Sequence, residues 1–333
     1  MMRQRGFVLV VVLFFTLLLS STIATFARRS RLDAVIVVNR DDGARAEALA
    51  RGGTRLAIAL LLQDRLEEER LGLPIDTSTD LWAQASGIPI ETEDGGLLRI
   101  RIEDSAARVN LNALVADGEP ISGAEAFLNE FLAKVVEEMP GRPEEKLYDP
   151  DDLARDLLDF MDGDDVTARG ELEDDFYQQQ LPPYRAVNRP LLTLPELALV
   201  RGFDGALIDG LRPYVTVFPY TGGKGPNPNT APAWVLASLF VGAETDRRLA
   251  PEDDVRRILM ERTAGPLCDG VSHPACIPMQ EVYSEATLLP HTQRSDVFLI
   301  RAEARYGDVA RTIEATLDRS EADNPAVLAW SVR

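Results

Sequence analysis

The sequence predicts an α+β protein: a long N-terminal helix and a small antiparallel sheet, with a large all-helical domain inserted into them. Three observations predict it. An uncharged apolar run at residues 7–27 passes into a helical pattern that continues to about residue 72. Alternating, strand-like segments occur at 97–103 and then near the C-terminus, at 296–305 and 309–318. The stretch between them, about 110 to 265, reads as helices.

Size and charge bound the possibilities. A chain of 333 residues buries a good core and has room for two folded units. Its 54 acidic and 35 basic residues give a net charge of −19. Such a balance repels a phosphate backbone, which argues against nucleic acid as a partner. It leaves many carboxylates for a hard cation such as calcium. With only His273 and His291, a histidine-based zinc site has little material. Ser284, His291 and Asp296 can be drawn as a triad, but no nucleophile elbow or oxyanion loop accompanies them, so the chain does not read as an enzyme.

Residues 1–6 (MMRQRG) form a short basic leader, and residues 7–27 (FVLVVVLFFTLLLSSTIATFA) are long enough to span a bilayer as a helix. The competing reading is a secretory signal cut near Ala27; the apolar stretch is long for that, and no clean A-x-A site precedes Arg28, Arg29 and Arg31. Arginines on both sides leave the orientation open by charge alone. Beyond the span, Leu32, Val35, Ala46, Leu49, Leu56 and Leu60 continue a helical face, with Gly52 and Gly53 as a place where it could bend and Gly72-Leu73-Pro74 as its end. The inserted region carries helical segments at 124–138, 150–161, 194–200, 204–214, 231–240 and 252–262, with Thr230 as an N-cap and Pro232 in the first turn of the fifth. The unit from Leu194 through Gly202 to Leu211 resembles a helix-hairpin-helix; Asp204 and Asp209 beside its turn argue for protein packing over DNA. Cys268 and Cys276 flank a short loop that a disulfide could close, which favours an exported C-terminal part; two free thiols are the alternative. The arms at 296–305 and 309–318 meet at Tyr306-Gly307-Asp308, a hairpin turn.

A basic leader ending in Gly6, followed by Phe7 and the apolar helix, resembles the prepilin class. That resemblance implies cleavage of the Gly6–Phe7 bond by prepilin peptidase and methylation of Phe7. Most pilins then carry Glu at the fifth mature position, where it neutralises a neighbour's N-terminal amine inside the apolar bundle; here that position is Val11. A subunit with nothing ahead of it needs no such partner. Lack of this Glu, and a helical insertion in a pilin-like fold, are features of the K-type minor pseudopilin of type II secretion (general secretion pathway protein K family). The blocks Val109-Asn110-Leu111-Asn112, 183–191 (PYRAVNRPL) before Pro195-Glu196-Leu197, and 227–232 (NPNTAP) before Val235-Leu236 resemble that family's recurring segments.

The resemblance spans nearly the whole chain and sets the expectations. The fold is a type IV pilin-like helix and sheet carrying a helix-hairpin-helix/SAM-like domain: leader 1–6, membrane segment 7–27, helix and first strand 28–109, inserted domain 110–265, and C-terminal sheet with disulfide loop 266–333. The chain would be an inner-membrane, single-pass tip subunit with its large part in the periplasm. It would assemble with I- and J-type minor pseudopilins after prepilin peptidase has acted, in contact with inner-membrane lipid. Phe7, Val11 and Leu18 are candidate contacts at membrane level. Asp162, Asp164 and Asp165 flank Gly163 in an acidic run that continues to Glu171, Glu173, Asp174 and Asp175 and offers oxygens to calcium, although it lacks the EF-hand spacing and the competing reading is a solvated turn between helices. The family's calcium binding directs attention to a second set, Asp269, Glu281 and Asp296. Two rival readings are a tip-type minor pilin of a type IV pilus or competence system, and a single-pass periplasmic binding protein.

Overall fold

A computed structural model describes residues 4–141, 148–167, 169–242, 246–271, 273–283, 285–321 and 323–333. Helix α1 runs unbroken from Gln4–Leu71, 68 residues, or roughly 100 Å at 1.5 Å per residue. Its first part stands clear of the rest of the chain. From Ala46 onward one face is sealed: Ala46, Ala50, Ala57 and Leu61 are fully buried, at the helical spacing that puts them on a single stripe. Gly53 belongs to that stripe. A Cβ there would sit 2.8 Å from Leu98 Cδ1, so the glycine serves close approach of helix and sheet, and the helix continues through Gly52 and Gly53 without interruption. The helix stops at Gly72, whose φ of 64° suits glycine. Leu73 N–H donates back to Glu68 O at 3.0 Å, and Pro74 follows.

The sheet facing α1 has five antiparallel strands in the order β1 (Pro89–Glu91), β2 (Leu97–Asp104), β3 (Val297–Tyr306), β4 (Val309–Asp318), β5 (Ala326–Val332). Leu98, Ile100, Ile102, Phe298, Ile300, Ala302, Ile313, Ala315 and Leu317 alternate inward against α1. Trp82, on the short helix α2 (Leu81–Ala85), closes the end of this core edge-on to Phe298 at 5.1 Å. The β3–β4 hairpin pairs Tyr306 with Val309 around Gly307, φ 53°.

After β2 the chain leaves the sheet for a second, larger core built from residues 109–289, and returns at β3. This inserted part holds α3 (Ala124–Glu138) against α4 (Pro150–Met161), then α5 (Asp174–Tyr177), a 3-10 turn at Leu194–Leu199, α6 (Gly205–Leu211), α7 (Ala233–Leu236), α8 (Glu252–Glu261) and α9 (Met279–Val282). Local caps explain the sharpest starts: Asp149 accepts from Asp151 N–H ahead of Pro150, and Asp204 accepts from Leu207 N–H. The segment expected as one helix at 231–240 forms only the single turn α7, because the chain turns into a short strand at Phe240–Val241 that pairs with Arg248–Leu249. Thr230 is not its cap. Pro232 holds that position, and Thr230 Oγ1 donates to Asp104 instead.

The recurring asparagine blocks hold the loops of this core. Asn112 Nδ2 donates to Leu191 O at 2.9 Å and Val217 O at 2.7 Å, while its Oδ1 accepts from Leu191 N–H at 2.8 Å. Asn229 exchanges both bonds with Leu267, at 3.0 and 2.8 Å. These buried amides satisfy backbone groups that would otherwise be orphaned.

At the end of the helix-and-sheet core lies Arg319, which is fully buried. Its guanidinium donates to Leu61 O at 2.7 Å, Asp64 Oδ2 at 2.9 Å, Glu68 Oε1 at 2.9 Å, Ser295 O at 3.2 Å and Asp76. It also lies 4.5 Å above the Phe298 ring. One side chain thereby ties the end of α1, the α1–α2 loop, the start of β3 and the end of β4.

Candidate functional site

Two features are not accounted for by packing: the bare end of α1 and an acidic cluster in the inserted domain. On α1, Phe7 is 73% exposed, and the apolar window near the N-terminus is 0% buried against the rest of the chain. Water would not tolerate such a surface, so its solvent is lipid or the apolar helices of other chains. Gly6 and Phe7 are consecutive helical residues at the start of this span, and Val11 and Leu18 lie along it.

The acidic cluster forms where α4 ends. Asp162 is the C-cap residue of α4, where the negative end of the helix dipole makes a carboxylate unfavourable. The turn that follows is pinned by Gly163 N–H donating to Gly118 O at 2.7 Å. Asp164 then accepts from Val166 N–H at 2.7 Å, and a bridge between Val166 and Leu172 swings Glu173 back over the helix end. Carboxylate oxygens of Asp162, Asp164 and Glu173 all lie within 4.8 Å of one another. Asp162 and Glu173 are 6% and 4% exposed, and Asp162 Oδ1 and both Glu173 oxygens have no hydrogen-bond partner. Burial, then the neighbouring carboxylates, pushes Asp162 up to about 7 and Glu173 up to about 8. An all-oxygen donor set with buried, unpaired carboxylates fits a hard divalent cation.

The structure brings together only part of what the sequence suggested. Asp162 and Asp164 join, but Asp165 turns away, its Oδ1 accepting from Asn188 Nδ2 at 3.3 Å, and Glu173 takes its place. The second acidic set does not assemble: among the described residues, no three-carboxylate group contains Asp269, Glu281 or Asp296. Asp296 faces cations, with Arg294 Nε at 3.5 Å and Arg65 Nη1 at 3.9 Å, and Glu281 lies on α9. A further acidic group, Asp64, Asp76 and Asp80, already has a counter-charge in Arg319 and does not ask for a metal. Cys268 and Cys276 are disulfide-bonded, with Cα atoms 5.6 Å apart. Ser284 lies outside the described residues. The helix-hairpin-helix unit is formed by the 3-10 turn Leu194–Leu199, Gly202 at φ 83° and α6.

Comparison with known proteins agrees with this architecture. Residues 107–220 match the family model described as type II secretion system (T2SS), protein K. A type II secretion system protein K of Pseudomonas aeruginosa is 33% identical over 240 residues, covering 71% of this chain and 68% of that protein. The Aeromonas hydrophila protein of the same description is 28% identical over 338 residues, covering 98% and 96%. In fold, the chain is similar to a chain of the crystal structure of the GspK-GspI-GspJ complex from the enterotoxigenic Escherichia coli type 2 secretion system: TM-score 0.60 at 20% identity, over 89% of this chain and 99% of that one. The chain belongs to the type II secretion system protein K family, and is a minor pseudopilin of type II secretion.

Proposed function

We propose that this minor pseudopilin caps the tip of a periplasmic pseudopilus, anchored in the inner membrane by residues 7–27 and assembled with I- and J-type partners. The observation that carries the proposal is the bare apolar start of α1 continuing, without a break, into the helix that packs the sheet. Such a helix can sit in lipid and then in a bundle of like helices with the same surface. The similar chain in the solved structure comes from a complex that names I and J subunits, which supports those partners here. Two features favour the tip position. Val11 offers no carboxylate to a subunit ahead of it, and the core of residues 109–289 adds bulk that a plain helix-and-sheet subunit lacks. Before assembly, prepilin peptidase would remove residues 1–6 at Gly6–Phe7, and Phe7 would be methylated.

Asp162, Asp164 and Glu173 would hold a calcium-like cation, whose charge offsets their mutual repulsion. Held together, they fix the turn between α4 and α5 and so the outer end of the inserted domain.

The test is co-expression of the full chain with the I- and J-type pseudopilins of the same system. The proposal expects one detergent-stable complex containing all three, lost when charged residues are placed along residues 7–27. Recovery of this chain alone, or its incorporation along the length of a filament, would contradict it.

A further inference from the structure

The face of the sheet turned away from α1 carries a charge arrangement that the sheet itself does not explain. Register sets Arg101 on β2 directly opposite Arg301 on β3, and like charges so placed repel. Glu314, opposite Arg301 on β4, is 3.7 Å from Arg301 but is shared with Arg333 at 3.3 Å. Arg101 has no acidic partner among the described residues. Both arginines line a cleft of about 430 Å³ between this face and the inserted domain, together with Arg108, Arg212, Leu194 and Phe218. The carboxylates in its wall, Glu103 and Glu314, are each already held by an arginine. In a chain of net charge −19, four arginines line this cleft against two carboxylates. Arg212 is paired with Asp209 at 3.1 Å and Arg108 with Glu103, which leaves Arg101, set beside Arg301, as the cation without a counter-charge among the described residues.

We propose that this cleft binds an acidic, partly apolar segment of a partner polypeptide. A carboxylate of that segment would lie between Arg101 and Arg301, where two guanidinium forks match its geometry and cancel their mutual repulsion. Apolar side chains beside it would pack on Leu194 and Phe218, which is why a peptide fits better than a bare anion. The surface lies on the opposite side of the sheet from α1, so it stays open while α1 is packed against other helices. The inference goes beyond the tip assignment and does not depend on the helix contacts.

The experiment is fluorescence anisotropy on the full chain in detergent, with a labelled peptide of alternating Glu and Leu as the probe. Binding is expected, and it should weaken as salt rises. Arg101→Glu and Arg301→Glu should each weaken it at least about tenfold, on the scale of losing a charge-assisted pair. Arg305→Glu, on the same strand outside the cleft, should leave it unchanged. Arg101→Gln is the informative companion: relieving the Arg101–Arg301 repulsion, it should melt at or above the wild-type temperature while still losing affinity. Equal binding of the peptide with Lys in place of Glu would overturn the proposal. So would wild-type affinity in Arg101→Gln, displacement by inorganic phosphate, or no binding at all.

Discussion

Replacing Arg319 with methionine removes the cation shared by Asp64, Glu68 and Asp76 while keeping much of the side-chain volume. Asp76 and Arg319 are fully buried and Glu68 nearly so, so the partners left behind cannot turn to water. Breaking a buried pair from one side costs about 3–5 kcal/mol when a charge is left behind. The cost should depend on pH. Burial raises Asp76 well above the ordinary carboxylate range and pushes Glu68 up to about 7, against the pull of Arg319. A group raised in the folded state lends stability that is full below its unfolded pKa and lost as pH rises through the folded one. At pH 8 the variant must therefore bury charge, whereas at pH 5 Glu68 is already protonated. There the loss falls toward the cost of unsatisfied neutral groups, about 1–3 kcal/mol. Near-UV circular dichroism of the full chain in detergent follows the head through Trp82, which packs on the Phe298 ring beneath Arg319. At about 2–4 °C per kcal/mol, the melting point should fall by about 10 °C at pH 8 and about half as much at pH 5. Arg319→Lys should lie between, since an ammonium cannot reach acceptors on three segments at once. A loss equal at both pH values, or none at pH 8, would show that Glu68 and Asp76 are not left as buried charges when Arg319 is removed.

Two more outcomes follow from the geometry. With a chelator present, Asp162 and Glu173, raised to about 7 and about 8, should make the protein lose stability as pH rises from 5 to 8.5. Calcium at a hundredfold excess over its dissociation constant should restore about 2.7 kcal/mol, and Glu173→Gln should remove that response; a melting point flat in pH and indifferent to calcium would sink the site. Gly53→Val should cost about 1–3 kcal/mol by overpacking, because its Cβ would meet Leu98 at 2.8 Å; denaturant unfolding checks it, and an unchanged midpoint would show that the helix stands farther from the sheet.

The legible parts of the fold were the local ones. The β3–β4 hairpin announced itself by alternation around a glycine turn, and α3 and α4 were expected at 124–138 and 150–161, where they form. Strand β5 did not, because AVLAWSV is apolar at nearly every position and so shows no period. Its place is fixed by β4, through pairs such as Ala315 with Trp330. The helix expected at 231–240 was lost to pairing with a segment farther along the chain. The acidic cluster was half legible: Asp162 and Asp164 are neighbours in sequence, but Glu173 arrives only because the turn folds back through Val166 and Leu172. Arg319 gave no signal, since Asp64, Glu68 and Asp76 lie more than 240 residues away and nothing in their local pattern names a partner.

The most direct test of the tip-pseudopilin account is the intact mass and N-terminal sequence of the chain isolated from its native envelope. A processed tip pseudopilin would be a mature protein lacking residues 1–6 and beginning with N-methylated Phe7. An intact Met1, or a start near Arg28, would contradict it and leave an anchored or secreted protein that never entered a pseudopilus.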